Sequence, residues 1–152
     1  MKEQIRLGNQ GVTIDEHHFS LAINACAFSN ADIDSELEAF QIATKLFDEV
    51  VSSPDLEPTS LTYGWFIQCC GRLRVPEAMR NAYIERAFHR CCEQGLVNDF
   101  VLRRLLGAAQ DELLGKLFVA TRLSSPWKPS RVRVSMLPSA WTCHARRKKQ
   151  KV

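Results

Sequence analysis

The sequence predicts an all-α protein, an α-solenoid of two to three helix-hairpin repeats that ends in an irregular, basic C-terminal arm. Three observations carry this reading. Apolar residues recur at three- and four-residue spacing through most of the chain, no stretch alternates with period two for long enough to make a sheet, and the helical stretches resemble one another at intervals of 41 and 44 residues. Seven glycines and six prolines punctuate these stretches and mark where they stop.

The first predicted helix covers residues 17–28, with Phe19, Ala22, Ile23 and Cys26 on one face. A polar break at residues 29–35 separates it from the second, residues 35–51, whose Leu37, Phe40, Ala43, Phe47 and Val50 form an apolar stripe. Ser35 followed by Glu38 is a capping-box pattern, in which each side chain satisfies a backbone N–H at the helix start. Pro54 and Pro58 end that helix, because the residue before a proline is pushed out of the α region. A third helix starts near Ser60 and carries Tyr63, Phe66, Ile67 and Cys70 on one face. Its partner starts at Pro76, whose fixed φ suits a first turn, and runs through Ala87, Phe88 and Cys91 to a stop at Gly95. A shorter pair follows, residues 99–109 with Leu102, Leu105, Leu106 and Ala109, then residues 111–121 with Leu114, Leu117 and Phe118. Residues 1–14 read as the tail of a preceding repeat or a linker, and residues 15–121 as the helical-repeat domain. From Ser124 onward three prolines interrupt the chain and the helical stripe is lost. Residues 122–152 are therefore expected to be an irregular arm, with Trp127 or Trp141 docked on the last helix, followed by a disordered cationic tail.

The 152-residue chain is 45% apolar and 24% charged, a globular composition of single-domain size. Its net charge of +3 hides an asymmetry. Residues 1–112 hold all 17 acidic residues beside 10 basic ones, a balance of −7, whereas residues 113–152 hold 10 basic residues and no acid. No apolar run approaches the roughly 20 residues that span a bilayer, and the opening MKEQIRLGNQG has polar residues where an export signal needs an apolar core. An intracellular protein without membrane contact is expected. Of six cysteines, four form adjacent pairs, Cys69-Cys70 and Cys91-Cys92, and no CxxC spacing occurs. Neighbours on a helix point about 100° apart, so these residues are expected to be reduced, mostly buried small hydrophobes rather than disulfide or zinc partners.

Superposing the pairs brings out the repeat. Residues 14–23 align with residues 58–67, placing Phe19 on Tyr63 and Ile23 on Ile67, and residues 43–50 align with residues 84–91, placing Phe47 on Phe88. The third pair follows with Leu102 on Tyr63 and Leu114 on Ile84. A two-helix unit with one apolar face cannot bury that face alone and stacks on its neighbours. The phrase LEPTSLTYGWFI at residues 56–67, with Pro58, Thr62 and Tyr63, resembles the junction between pentatricopeptide repeats, and Ala43, Phe47 and Val50 are spaced like that family's second helix. Thr59 stands where the family usually has an acidic residue; in the first unit Asp15 and Phe19 match, while Ile14 replaces the proline. The resemblance covers residues 12–121 and is similar especially to the variant with enlarged repeats and a Cys-Cys second helix. The opening resembles the end of a preceding second helix with its Gly-Asn turn, so the chain is expected to be a truncated array or the C-terminal part of a longer one.

That resemblance implies a module that binds single-stranded RNA in mitochondrial or plastid RNA metabolism, with no cofactor and no catalysis, reading about one base per repeat with two or three side chains. It assigns base reading to the position after the aromatic, Ser20, Gly64 and Arg103, and to the entry positions Thr59 and Asn98, with Asp15 serving a preceding unit. Gly64 offers no side chain to a base. The chemistry of the C-terminus points the same way without the resemblance. Arg146, Arg147, Lys148, Lys149 and Lys151, with Arg131 and Arg133 upstream, suit phosphate neutralisation, and Trp127 and Trp141 suit stacking on bases. A solvated tail accounts for the same charges, and an acidic body fits a second reading, a helical scaffold that contacts proteins and no RNA. His17, His18, His89 and His144 are scattered, and no HExxH, GxSxG, Walker or GxGxxG phrase occurs, so neither a catalytic nor a metal site is expected.

Overall fold

The computed structural model describes residues 14–29, 32–119 and 131–149. Among these the chain is all-helical, with seven α-helices and no strand. Helices α1 (Glu16–Cys26), α2 (Ile33–Ser52), α3 (Ser60–Arg72), α4 (Glu77–Glu93), α5 (Asp99–Ala108) and α6 (Asp111–Leu117) follow one another in the expected order; a 3-10 turn at Val134–Met136 and a final helix α7 (Ser139–Lys149) complete it.

Side-chain caps start the helices. Asp15 takes the His18 N–H at 3.2 Å, Asp32 the Ser35 N–H at 2.7 Å and Asn98 the Val101 N–H at 3.0 Å, so each satisfies a donor that the first turn cannot. For α2 the cap is thus Asp32 rather than Ser35, and the expected Ser35–Glu38 box gives way to an earlier start. The Ser35 backbone N–H also holds the Asp32 carboxyl below its ordinary range. At the other end of α4, Gly95 adopts φ 67°; the Gly95 N–H reaches the Cys92 carbonyl at 3.0 Å and the Leu96 N–H the Cys91 carbonyl at 3.1 Å, a Schellman stop that needs a left-handed residue.

Packing centres on α3, which touches α1, α2, α4 and α5. Its Tyr63, Phe66, Ile67, Cys69 and Cys70 are all fully buried. Phe47 of α2 stacks on Phe66 at 4.1 Å and meets Tyr63 edge-on, while Phe40 meets Tyr83 of α4 edge-on at 5.3 Å. The second helices are also linked by Arg86 to Asp48 at 2.7 Å and by Arg90 to the Val51 carbonyl at 3.0 Å. Phe19 packs with Val50 between α1 and α2, and the Tyr63 hydroxyl of α3 donates to Gln94 after α4 at 2.7 Å.

Two glycines set the spacing of α3 against α5. A Cβ at Gly64 would lie 2.2 Å from the Phe100 ring, and one at Gly71 would lie 2.6 Å from the Ala108 Cβ and 2.8 Å from its Cα. Seven residues apart, they are two turns apart on one face, and they let the two helices approach closely at both ends.

The C-terminal segment departs from the expected irregular arm and disordered tail. Pro138 precedes a helix that continues through Arg146, Arg147, Lys148 and Lys149. The Val97 N–H donates to the Trp141 carbonyl at 2.9 Å, and the His144 and Ala145 N–H groups donate to the Gly95 carbonyl at 2.9 and 3.0 Å. Trp141 meets Phe88 of α4 edge-on at 5.7 Å, so the expected docking of a C-terminal tryptophan is realised on α4 rather than on α6. Among the described α7 side chains only Thr142 is buried, with Trp141 and Ala145 half-buried, so a short contact suffices and no stripe is needed in the sequence. Trp127 and Lys151 lie outside the described residues.

Candidate nucleic-acid interface

The helix-entry residues converge, because the N-terminal ends of α1 and α3 lie side by side and α3 is tied to the turn before α5. One oxygen of the Glu16 carboxylate accepts from the hydroxyls of Ser20, Thr59 at 3.0 Å and Thr62 at 2.6 Å, and the Ser20 and Thr62 hydroxyls lie 3.0 Å apart. Ser60 donates to the Leu96 carbonyl at 2.7 Å. Ser20 and Thr59, paired by the family resemblance, are thus brought together, but around a carboxylate.

Each expected base-reading position has a structural task. Ser20 is fully buried. Thr59 is the N-cap of α3 and binds Glu16. Gly64 is covered by Phe100, and Asn98 uses its side-chain oxygen as the cap of α5. Asp15 caps α1, and its hydrogen bond to His18 holds its carboxyl below the ordinary range. Arg103 differs, since it is exposed on α5 with only a long 3.4 Å contact from its Nε to the Asp99 carbonyl. The edge formed by α1 and α3 therefore carries hydroxyls already engaged by an acid, an unfavourable setting for phosphate.

Basic side chains of the body are also largely engaged. Arg74 pairs with the buried Glu36, Arg86 with Asp48, and Lys116 with Glu85 at 3.2 Å, while Arg72 reaches the Ala27 carbonyl at 3.2 Å and lies over the Phe28 ring. Exposed arginines outside these contacts gather at the C-terminal end. Arg103 and Arg133 line one cleft of about 640 Å³ between α5 and the C-terminal segment, with Asn98, Asp99, Phe100, Ser135 and Thr142. Phe100 is held there by its seat on Gly64, by Trp65 edge-on at 6.3 Å and by Arg104, whose guanidinium lies 5.0 Å from the ring centre. A smaller recess of about 280 Å³ between α4 and α6 is lined by Glu77, Glu85 and Glu112 with Lys116, the wrong charge for a polyanion.

Cysteine chemistry stays in the core. Cys69, Cys70, Cys91 and Cys92 are buried free thiols; burial raises all four, Cys70 and Cys92 to about 12, which suppresses the reactive thiolate. Cys69 donates to the Ile23 carbonyl at 2.9 Å. Among the described residues no group of three or more His, Cys, Asp or Glu side chains could hold a metal, and no helix is long and apolar enough to cross a membrane.

Known protein families, curated proteins and solved structures yield no match to the chain. Sequence reasoning singled out Arg103 and Arg133 separately and missed Glu16, Thr62, Phe100 and Thr142. The spacing of Thr59 and Thr62, which puts a second hydroxyl one turn into α3, was the available signal for the first two. Nothing in the sequence pointed to the cleft, since its walls are about thirty residues apart.

Proposed function

We propose that the chain is a pentatricopeptide-like α-solenoid module that binds single-stranded RNA without catalysis of its own, with contact concentrated at its C-terminal end. The observation that carries this reading is the distribution of charge over the helices. The acidic and capped edge lies at α1 and α3, whereas exposed Arg103, Arg104, Arg131 and Arg133 and the basic run within α7 lie toward the last helices. Support for the repeat comes from α1 packing on α3 and α3 on α5. Such an array would contact RNA mainly through phosphates, with little base reading from Ser20, Thr59, Gly64 or Asn98. A place in organelle RNA metabolism rests on the family resemblance.

Fluorescence-anisotropy titration of the full chain with labelled single-stranded RNA tests this. Binding is expected to weaken as salt rises, with a log–log slope of about −0.7 per phosphate neutralised. Absence of binding at low salt overturns the reading. The second reading, a protein-interaction scaffold, is favoured by the exposure of Leu21, Phe28, Ile33 and Ile42 on the first pair, between 45% and 59%. It prevails if the chain binds no RNA.

A further inference from the structure

We propose, on the basis of the RNA-binding reading, that the cleft between α5 and the C-terminal segment seats one nucleotide of the strand, with its phosphate between Arg103 and Arg133. These arginines come from separate elements and line the same cavity, and neither has a carboxylate partner within salt-bridge distance among the described residues. Guanidinium groups match phosphate oxygens in pairs and remain charged at all physiological pH.

The rest of the lining suits the other parts of a nucleotide. Asn98, Ser135 and Thr142 bring amide and hydroxyl groups suited to a ribose or a base edge, and Phe100, Val97 and Val134 bring apolar surface. Phe100 is positioned rather than mobile, because Gly64 leaves the slot it occupies and Trp65 and Arg104 flank it. A volume of about 640 Å³ falls within the range of small-ligand sites. Asp99, in the same wall, offsets one of the two positive charges, which disfavours a free, highly charged anion relative to a strand carrying one charge per phosphate.

The cleft is also open to a second element, since Ala145 of α7 lies at its rim beside Thr142. The wall from α7 exists because that helix is tied to Gly95 and Val97 by three backbone hydrogen bonds. Docking of the C-terminal helix thereby builds the site as well as covering the end of the body.

The test uses the full chain and a fluorescein-labelled ten-nucleotide oligouridine in anisotropy titrations at low and moderate salt, with inorganic phosphate and adenosine monophosphate as separate competitors. The paired substitution Arg103→Gln with Arg133→Gln is expected to weaken oligouridine binding about tenfold or more and to flatten its salt dependence, since two charge-assisted contacts are lost. Both residues are exposed, so circular dichroism and the thermal midpoint should be unchanged, and Arg86→Gln, away from the cleft, should bind as the parent does. Unchanged binding in the paired variant overturns the cleft while leaving RNA binding intact; no binding by the parent overturns both. Competition by the mononucleotide at the concentration where inorganic phosphate fails supports a nucleotide seat. Equal competition by both reduces the site to a bare anion contact and overturns it. Photocrosslinking with 4-thiouridine RNA is expected to mark residues 98–103 or 133–135, and adducts found only elsewhere overturn the assignment.

Discussion

At the scale of single residues, Glu16 decides what the entry positions can do. Its carboxylate oxygen serves three hydroxyls, two of them, on Ser20 and Thr62, fully buried. Glu16→Ala leaves these donors with only each other, and a loss of about 2 kcal/mol is expected from urea denaturation, with Glu16→Gln costing less because an amide oxygen still accepts. Ser20→Ala should lower stability in the same assay while leaving RNA affinity unchanged; a fall in affinity at equal stability would restore Ser20 to base reading. The family resemblance pairs Ser20 with Thr59, and both hydroxyls meet the same Glu16 oxygen. The sequence did not show the acid between them, because Glu16 and Thr59 are 43 positions apart and neither carries a periodic signal.

Helices, not residues, explain the glycines. Replacing a helical glycine by alanine ordinarily stabilises by about 0.5–1 kcal/mol through lost chain entropy. At Gly107 and Gly115 a new Cβ meets nothing within 4 Å, so alanine should raise the thermal midpoint. Gly71→Ala should do the opposite. Its Cβ would fall 2.8 Å from the Ala108 backbone, which cannot rotate away, and an overpacking cost of about 1–3 kcal/mol exceeds the entropic gain. Thermal denaturation of the three variants checks the difference in sign. Helix existence was readable throughout residues 15–118 because each of those helices buries a stripe against neighbours. The start of α2 was misplaced by its cap, since Asp32 and Ser35 are both good caps and only packing chooses between them.

For the whole molecule the C-terminal helix matters most. It folds back on the turn after α4, and Gly95 is the hinge of that contact. Alanine there would hold an unfavourable φ of 67° and place a Cβ 2.7 Å from the Cys143 Sγ and 3.1 Å from the Ala140 carbonyl. Gly95→Ala is expected to cost at least about 1 kcal/mol and to release α7. Limited proteolysis should then cut residues 131–149 faster than in the parent, and RNA affinity should fall with loss of the cleft wall; an unchanged cleavage rate would show that α7 is held by other contacts. The charge asymmetry visible in the sequence acquires part of its location through this docking, which brings Arg133 to the side of α5 that carries Arg103.

Sequence alone determined the helical class, the order of the helices, the buried cysteines and the separation of an acidic body from a basic end, because each is written in local periodicity, spacing or composition. Only the tertiary structure decided that α7 is a helix docked through Trp141 on Phe88 of α4, that the entry hydroxyls are taken by Glu16, and that Arg103 and Arg133 share a cleft. These depend on contacts between residues far apart in the chain, made by one or two side chains each, and so few contacts leave no period for a sequence to display.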